Sequence, residues 1–273
     1  MKKLFHESKA LMELMKKENI STYASSAGFY IFLSFVPIII LICTLIPFTP
    51  ITPEGLIFFI LDIFPSKVEN IVISIVSEVY DSSAGVLSIA LLLTLWSAGK
   101  GVMAVMGGLN AINDAKEERN YFVIRILSSF YTLIMLVIIL VSIIVLVFGN
   151  VLIHLLISYL PRMYHILMFL LNFRFLAVWF ALTIIFALFY TYLPNRKLKF
   201  TGQLAGASFA AVVWSGFSWF FSIYVNFKGA FSVYGSLSII VLTMFWLYVC
   251  IYILFMGACI NKRMEIQHGI ENR

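Results

Sequence analysis

The stretch Gly229–Asn261 reads GAFSVYGSLSIIVLTMFWLYVCIYILFMGACIN, 33 residues without one Asp, Glu, Lys or Arg. A helix rises about 1.5 Å per residue and the hydrocarbon core of a bilayer is about 30 Å thick, so about 20 such residues cross it. Five further windows share the property: Asn19–Pro53, Ser82–Gly99, Ile126–Pro161, Phe175–Asn195 and Phe200–Phe227. With 62% hydrophobic and 12% charged residues among 273, the composition lies outside that of water-soluble domains. These windows predict an all-α polytopic membrane bundle of six transmembrane helices, a single transmembrane domain over residues 1–273.

The charges between the windows give orientation. Lys2, Lys3, Lys9, Lys16 and Lys17 precede the first window, and Lys100, Lys116, Arg119 and Arg125 lie between the second and third. Arg196, Lys197 and Lys199 separate the fourth and fifth, and Lys262, Arg263 and Arg273 follow the last. The other connections hold only Lys67, Arg162, Arg174 and Lys228. The positive-inside rule then places both termini in the cytoplasm of a multi-pass cell-membrane protein. The net charge of +6 reflects this sidedness. No basic patch interleaves aromatics as a groove for nucleic acid would.

The segments outside the windows are amphipathic. In the arm of residues 1–20, Leu4, Ser8, Leu11, Met12 and Met15 recur at helical spacing opposite Lys9, Glu13 and Lys16. This predicts a short cytoplasmic helix, lying on the inner leaflet or packed against the cytoplasmic loops. The long apolar run that follows, with no small-residue cleavage site, is read as a retained first span rather than an export signal. In the external loop of residues 49–82, Val68, Ile71, Val72, Ile75, Val76 and Val79 share one helical face. Leu56, Phe59, Ile60 and Ile63 repeat the pattern between Pro53 and Pro65, so interfacial helices are expected there. Residues 262–273 form a cytoplasmic tail. Small residues stack in Ala24-xxx-Gly28, Ala104-xxx-Gly108 and Gly202-xxx-Gly206-xxx-Ala210, a pattern that lets membrane helices approach closely.

No catalytic constellation is visible. His6, His154, His165 and His268 lack metal-ligand spacing, and Cys43, Cys250 and Cys259 lack a CxxC pattern and read as small buried residues. Ala98-Gly99-Lys100-Gly101 is not a nucleotide-binding loop. No catalytic residue, metal site or cofactor is therefore expected, and the chain is not read as an enzyme. All 13 Asp and Glu residues fall outside the windows, which disfavours ion coupling through a buried carboxylate. A path would be built from hydroxyls, amides and cations: Ser25, Ser26 and Ser34 before Pro37, Lys100, Asn110, Lys228 and Tyr234 are the candidate path or headgroup contacts. Lys100 reads either as a lysine reaching the inner headgroups or as a cation that receives an anionic group.

Several of these motifs occur together in a known order. Ala24…Ala27-Gly28-Phe29-Tyr30…Ser34…Pro37, Trp96-Ser97-Ala98-Gly99-Lys100-Gly101 with Leu109-Asn110, Leu193-Pro194-Asn195 before Gly202 and Gly206, and Tyr234-Gly235-Ser236…Trp246-Leu247-Tyr248…Gly257-Ala258…Asn261 resemble the YihY/virulence factor BrkB family nearly end to end. Gly99 stands where the family often has serine and Phe35 where leucine is common. The resemblance implies a bacterial cytoplasmic-membrane protein, from a family associated with serum resistance, envelope lipid handling and solute export. An old ribonuclease BN label also follows that family, but a nuclease needs a metal cluster or a His/acid pair reaching RNA, and neither is evident.

The expectation is a transporter, channel or lipid translocator for an anionic or amphipathic solute or lipid, without ATP hydrolysis of its own. The alternative is a non-transporting scaffold or envelope assembly factor. Expected partners are membrane lipids, a small solute, a second copy or other membrane proteins, and no nucleic acid.

Overall fold

A computed structural model describes residues 2–45, 73–74, 77, 84–135, 137–138, 174–226 and 236–271. Among them all regular structure is helical: α1 (Lys2–Lys17), α2 (Ile20–Leu45), α3 (Ala84–Ile112), α4 (Tyr121–Met135), α5 (Arg174–Tyr192), α6 (Phe200–Asn226) and α7 (Ser236–Glu271). Local chemistry sets several of the breaks. Asn19, at φ 50°, separates α1 from α2, and Asp114, at φ 51°, ends α3. Asn and Asp tolerate this left-handed region better than other non-glycine residues. After Asp114, the amides of Asp114 and Ala115 donate back to Ala111 (3.1 Å) and Asn110 (2.9 Å), which satisfies carbonyls the helix end would leave open. Asn120 caps α4, its Oδ1 accepting the Val123 amide at 2.9 Å.

α4 is built inside out. Arg125, Ser128 and Thr132, spaced i, i+3 and i+7, are buried, while Phe122, Ile126, Phe130 and Leu133 are exposed. Phe122 and Ile126 are 67% and 66% exposed, values that water would penalise and lipid would not. Val212, Trp219 and Phe220 on α6 and Val241 and Phe245 on α7 present further apolar surface. Two segments, Phe200–Val225 and Ile240–Gln267, are long and apolar enough to cross a bilayer.

α2 packs against α3 and α7, and α6 lies between α5 and α7. The centre holds small side chains, among them Ala24, Ala27, Ala207, Ala210, Ala211 and Ala258, together with Tyr190, Leu109 and Phe255. At Gly206 and Gly257 the backbones of α6 and α7 touch: a Cβ added at Gly206 would fall on the Gly257 carbonyl. Gly28 similarly meets the α7 backbone at Tyr248. Gly202 has nothing within 4 Å, so the small-residue stripe works as a packing seam from Gly206 onward and not at Gly202. Cys250 and Cys259 are buried free thiols.

Two sequence boundaries move. The second uncharged window ends at Gly99, but α3 continues for three more turns to Ile112, because no residue before Asn113-Asp114 breaks the helix. Arg125, counted with a connecting loop by its charge, lies within α4 and is fully buried. The N-terminal arm is helical and packs Leu11, Leu14 and Met15 on the bundle, with Met12 outside. Of the external loop, only Ile73, Ser74 and Ser77 are described, and they are helical; Lys228 and Tyr234 lie outside the described residues.

Candidate functional site

α3 is gripped on two sides where it carries Trp96-Ser97-Ala98-Gly99-Lys100-Gly101. A Cβ at Gly99 would lie 3.0 Å from Ser129 Oγ and 3.3 Å from its backbone nitrogen. A Cβ at Gly101 would lie 2.7 Å from Ile31 Cγ1 and 3.3 Å from the Ile31 nitrogen. Glycine at these two positions admits α4 and α2 to close approach.

Lys100 is exposed between the two glycines, its Nζ 5.6 Å from the centre of the Tyr30 ring. Ten residues separate it from Asn110, about 15 Å along the helix axis, and a four-carbon stem spans less than half of that. Arg125 of α4 donates from Nη2 to the Trp96 carbonyl and sets its guanidinium 4.8 Å from the centre of the Trp96 indole. Neither cation forms an ion pair among the described residues.

The hydroxyls of α2 behave differently. Ser25 donates to the Ser21 carbonyl (2.9 Å) and Ser34 to the Ile31 carbonyl (2.6 Å), each within its own helix. Ser26 is half-buried. Ser21 meets the Tyr248 hydroxyl at 3.0 Å and ties α2 to α7.

Asn110 belongs to a separate polar cluster at the end of α3. Its Oδ1 accepts the Asn195 amide at 2.7 Å and its Nδ2 donates to Glu117 at 2.8 Å, so both ends of the side chain are engaged. Asn195 Nδ2 donates in turn to the Lys116 carbonyl at 3.0 Å. Arg119 grips Glu117 with Nε and Nη2 at 2.6 and 2.7 Å, and Arg196 grips Glu265 at 3.1 and 2.6 Å. Lys262 holds Asp114 at 2.8 Å. Asn261 accepts the Gly206 amide at 2.6 Å and donates to Gln203 at 3.0 and 3.1 Å. The Lys262 hydrogen bond holds the Asp114 carboxyl below its ordinary range, and the Arg119 hydrogen bond does the same for Glu117. This cluster ties the connections after α3 and α5 to α7, and functions as a latch.

The candidate residues therefore separate into groups: Lys100 exposed midway along α3, Ser25 and Ser34 bonded within α2, and Asn110 in the latch. Arg125 and Trp96 were not singled out as site residues by the sequence. The signal for Arg125 was the Arg125/Ser128/Thr132 stripe, a polar face on an otherwise apolar helix. Among the described residues no three His, Cys, Asp or Glu side chains gather as a metal site would require.

A family model described as virulence factor BrkB matches residues 11–273. A protein of Bacillus subtilis named as ribonuclease-like, YfkH, is 29% identical over 253 residues, covering 89% of each chain. A UPF0761 membrane protein of Prosthecochloris aestuarii is 36% identical over 74 residues, 27% of this chain and 18% of that protein. Another UPF0761 membrane protein, from Idiomarina loihiensis, is 31% identical over 83 residues, 30% of this chain and 29% of its own. No solved structure matches.

Proposed function

Because this chain belongs to the virulence factor BrkB family, we propose that it is a six-span protein of the cell membrane with both termini cytoplasmic, which gives an anionic or amphipathic solute or lipid a path across the bilayer. The observation that carries this reading is Lys100: an exposed cation about 15 Å inside the latched end of α3, with no carboxylate paired to it among the described residues. An intramembrane cation in that setting marks a place where negative charge is received. The absence of Asp and Glu from the six uncharged windows supports a passive path over one coupled through a buried carboxylate. No nucleotide-binding loop accompanies it, which supports a path without ATP hydrolysis.

The reading is not enzymatic. The ribonuclease-like wording belongs to the Bacillus relative, and the sequence offers no metal-ligand spacing or His/acid pair of the kind RNA cleavage needs. A second reading, a non-transporting scaffold, draws on the exposed apolar faces of α4 and α6, where Phe122, Ile126, Val212 and Phe220 would suit a partner helix as well as lipid.

Reconstitution into liposomes separates the two. Wild type should accelerate the exchange of a fluorescent anionic phospholipid between leaflets, or the flux of an anionic solute, and Lys100→Ala should lose most of that rate. No movement of either probe with folded protein in the vesicles would favour the scaffold.

A further inference from the structure

Among the described residues, Arg125 is the only buried Lys, Arg, Asp or Glu side chain, with a relative exposure of 0%. Of its three guanidinium nitrogens, Nη2 meets the Trp96 carbonyl, while Nε and Nη1 have no hydrogen-bond partner among the described residues. A desolvated cation in this state is costly, and a position that needed only bulk would be better served by an apolar side chain of similar size. One neighbour gives the arrangement a purpose. The Trp96 ring lies 4.8 Å from the guanidinium carbon, and the residue is itself 44% exposed, so the group stacked on the charge also reaches the surface.

We propose that Arg125 and Trp96 form an anion site within the bundle, which takes a phosphate-type oxyanion when the Trp96 indole swings aside. The group is either the phosphodiester of a lipid headgroup or free phosphate. Arginine suits such oxygens because its planar donors match their geometry. The site goes beyond the transport reading and stands without it, since a non-transporting protein would hold a lipid there equally well.

The test is a titration of the full-length protein, purified in a neutral detergent, with dioctanoyl phosphatidylglycerol, dioctanoylglycerol and inorganic phosphate, followed by tryptophan emission and by calorimetry. Wild type should respond saturably to the phospholipid and not to phosphate-free dioctanoylglycerol. A response confined to the phospholipid assigns the site to a headgroup, and an equal response to phosphate assigns it to the free anion. Arg125→Met should weaken binding by about 10- to 100-fold, the usual effect of losing charge-assisted hydrogen bonds. Arg125→Lys should retain part of the affinity, because the charge remains without the fork. Trp96→Phe should remove most of the emission change while calorimetry still registers binding. Without added anion, Arg125→Met should melt no lower than wild type, which also shows that the variant folds. The inference is overturned if no anion binds saturably, if Arg125→Met binds as wild type does, or if that variant melts clearly lower without anion, as loss of a purely structural arginine would cause. Binding without liposome flux would sink only the transport reading, and flux without Arg125-dependent binding would sink only this one.

Discussion

Gly257→Ala should be a strongly damaging single-methyl change in the described bundle. The added Cβ would lie 2.5 Å from the Tyr190 hydroxyl, 2.6 Å from the Gly206 carbonyl oxygen and 2.9 Å from Ala210 Cβ. Two of these belong to α6 and one to α5, and the Tyr190 hydroxyl is fixed by its 2.6 Å bond to the Leu254 carbonyl, so no single flexible group can yield. Overpacking of this kind costs about 1–3 kcal/mol, and loss of the Tyr190 bond adds about 1 kcal/mol. Gly202→Ala makes the same chemical change in a helix with nothing within 4 Å, so it shares the gain in helix propensity without the clash. The difference between the two variants should therefore be about 2–4 kcal/mol. It can be read from unfolding in mixed micelles as the fraction of sodium dodecyl sulfate is raised. Tyr190→Phe removes the nearest obstacle, so combined with Gly257→Ala it should show a coupling of at least about 1 kcal/mol. Equal stability of Gly257→Ala and Gly202→Ala would refute the account of the α5–α6–α7 seam.

Other consequences concern the latch. Asn110→Ala, by stripping partners from the Asn195 amide and Glu117, should cost about 1–3 kcal/mol in the same unfolding measurement. Glu265→Gln should cost under about 1 kcal/mol, because the Arg196–Glu265 pair is more than a third exposed on both sides and solvent screens it. Asp114 and Glu117 titrate below their ordinary values of 3.8 and 4.5, so their contribution is fully present above those values and lost as pH falls through the lower folded-state values. Thermal melting scanned from pH 6 downward should drop in that acidic window, and Asp114→Asn should flatten part of the drop.

The periodic, local part of the architecture was legible in the sequence. The windows Phe175–Asn195 and Phe200–Phe227 lie close to α5 and α6, because a run of apolar residues with no breaker forms a helix whatever surrounds it. Charge was the less reliable guide to position. Lys100 ends the second uncharged window and Arg125 falls between windows, yet the helix α3 runs on past Lys100 and α4 takes Arg125 inward, since helix continuity depends on breakers and caps and not on a single charge. The latch was legible only as isolated motif residues. Asn110 and Asn195 are 85 positions apart, and their bond exists because α3 and α5 end side by side, a tertiary fact with no local trace. Ser25 and Ser34, candidate path residues by sequence, donate to carbonyls of their own helix, the commonest fate of such groups in an apolar segment.

Charge selectivity in reconstituted vesicles tests most directly the proposed service of Lys100 to a negatively charged cargo. Rates for an anionic phospholipid and an anionic solute should exceed those for a matched zwitterionic lipid and a cation, and the excess should disappear in Lys100→Ala. Equal or faster movement of the cation, with Lys100→Ala indistinguishable from wild type, would contradict it.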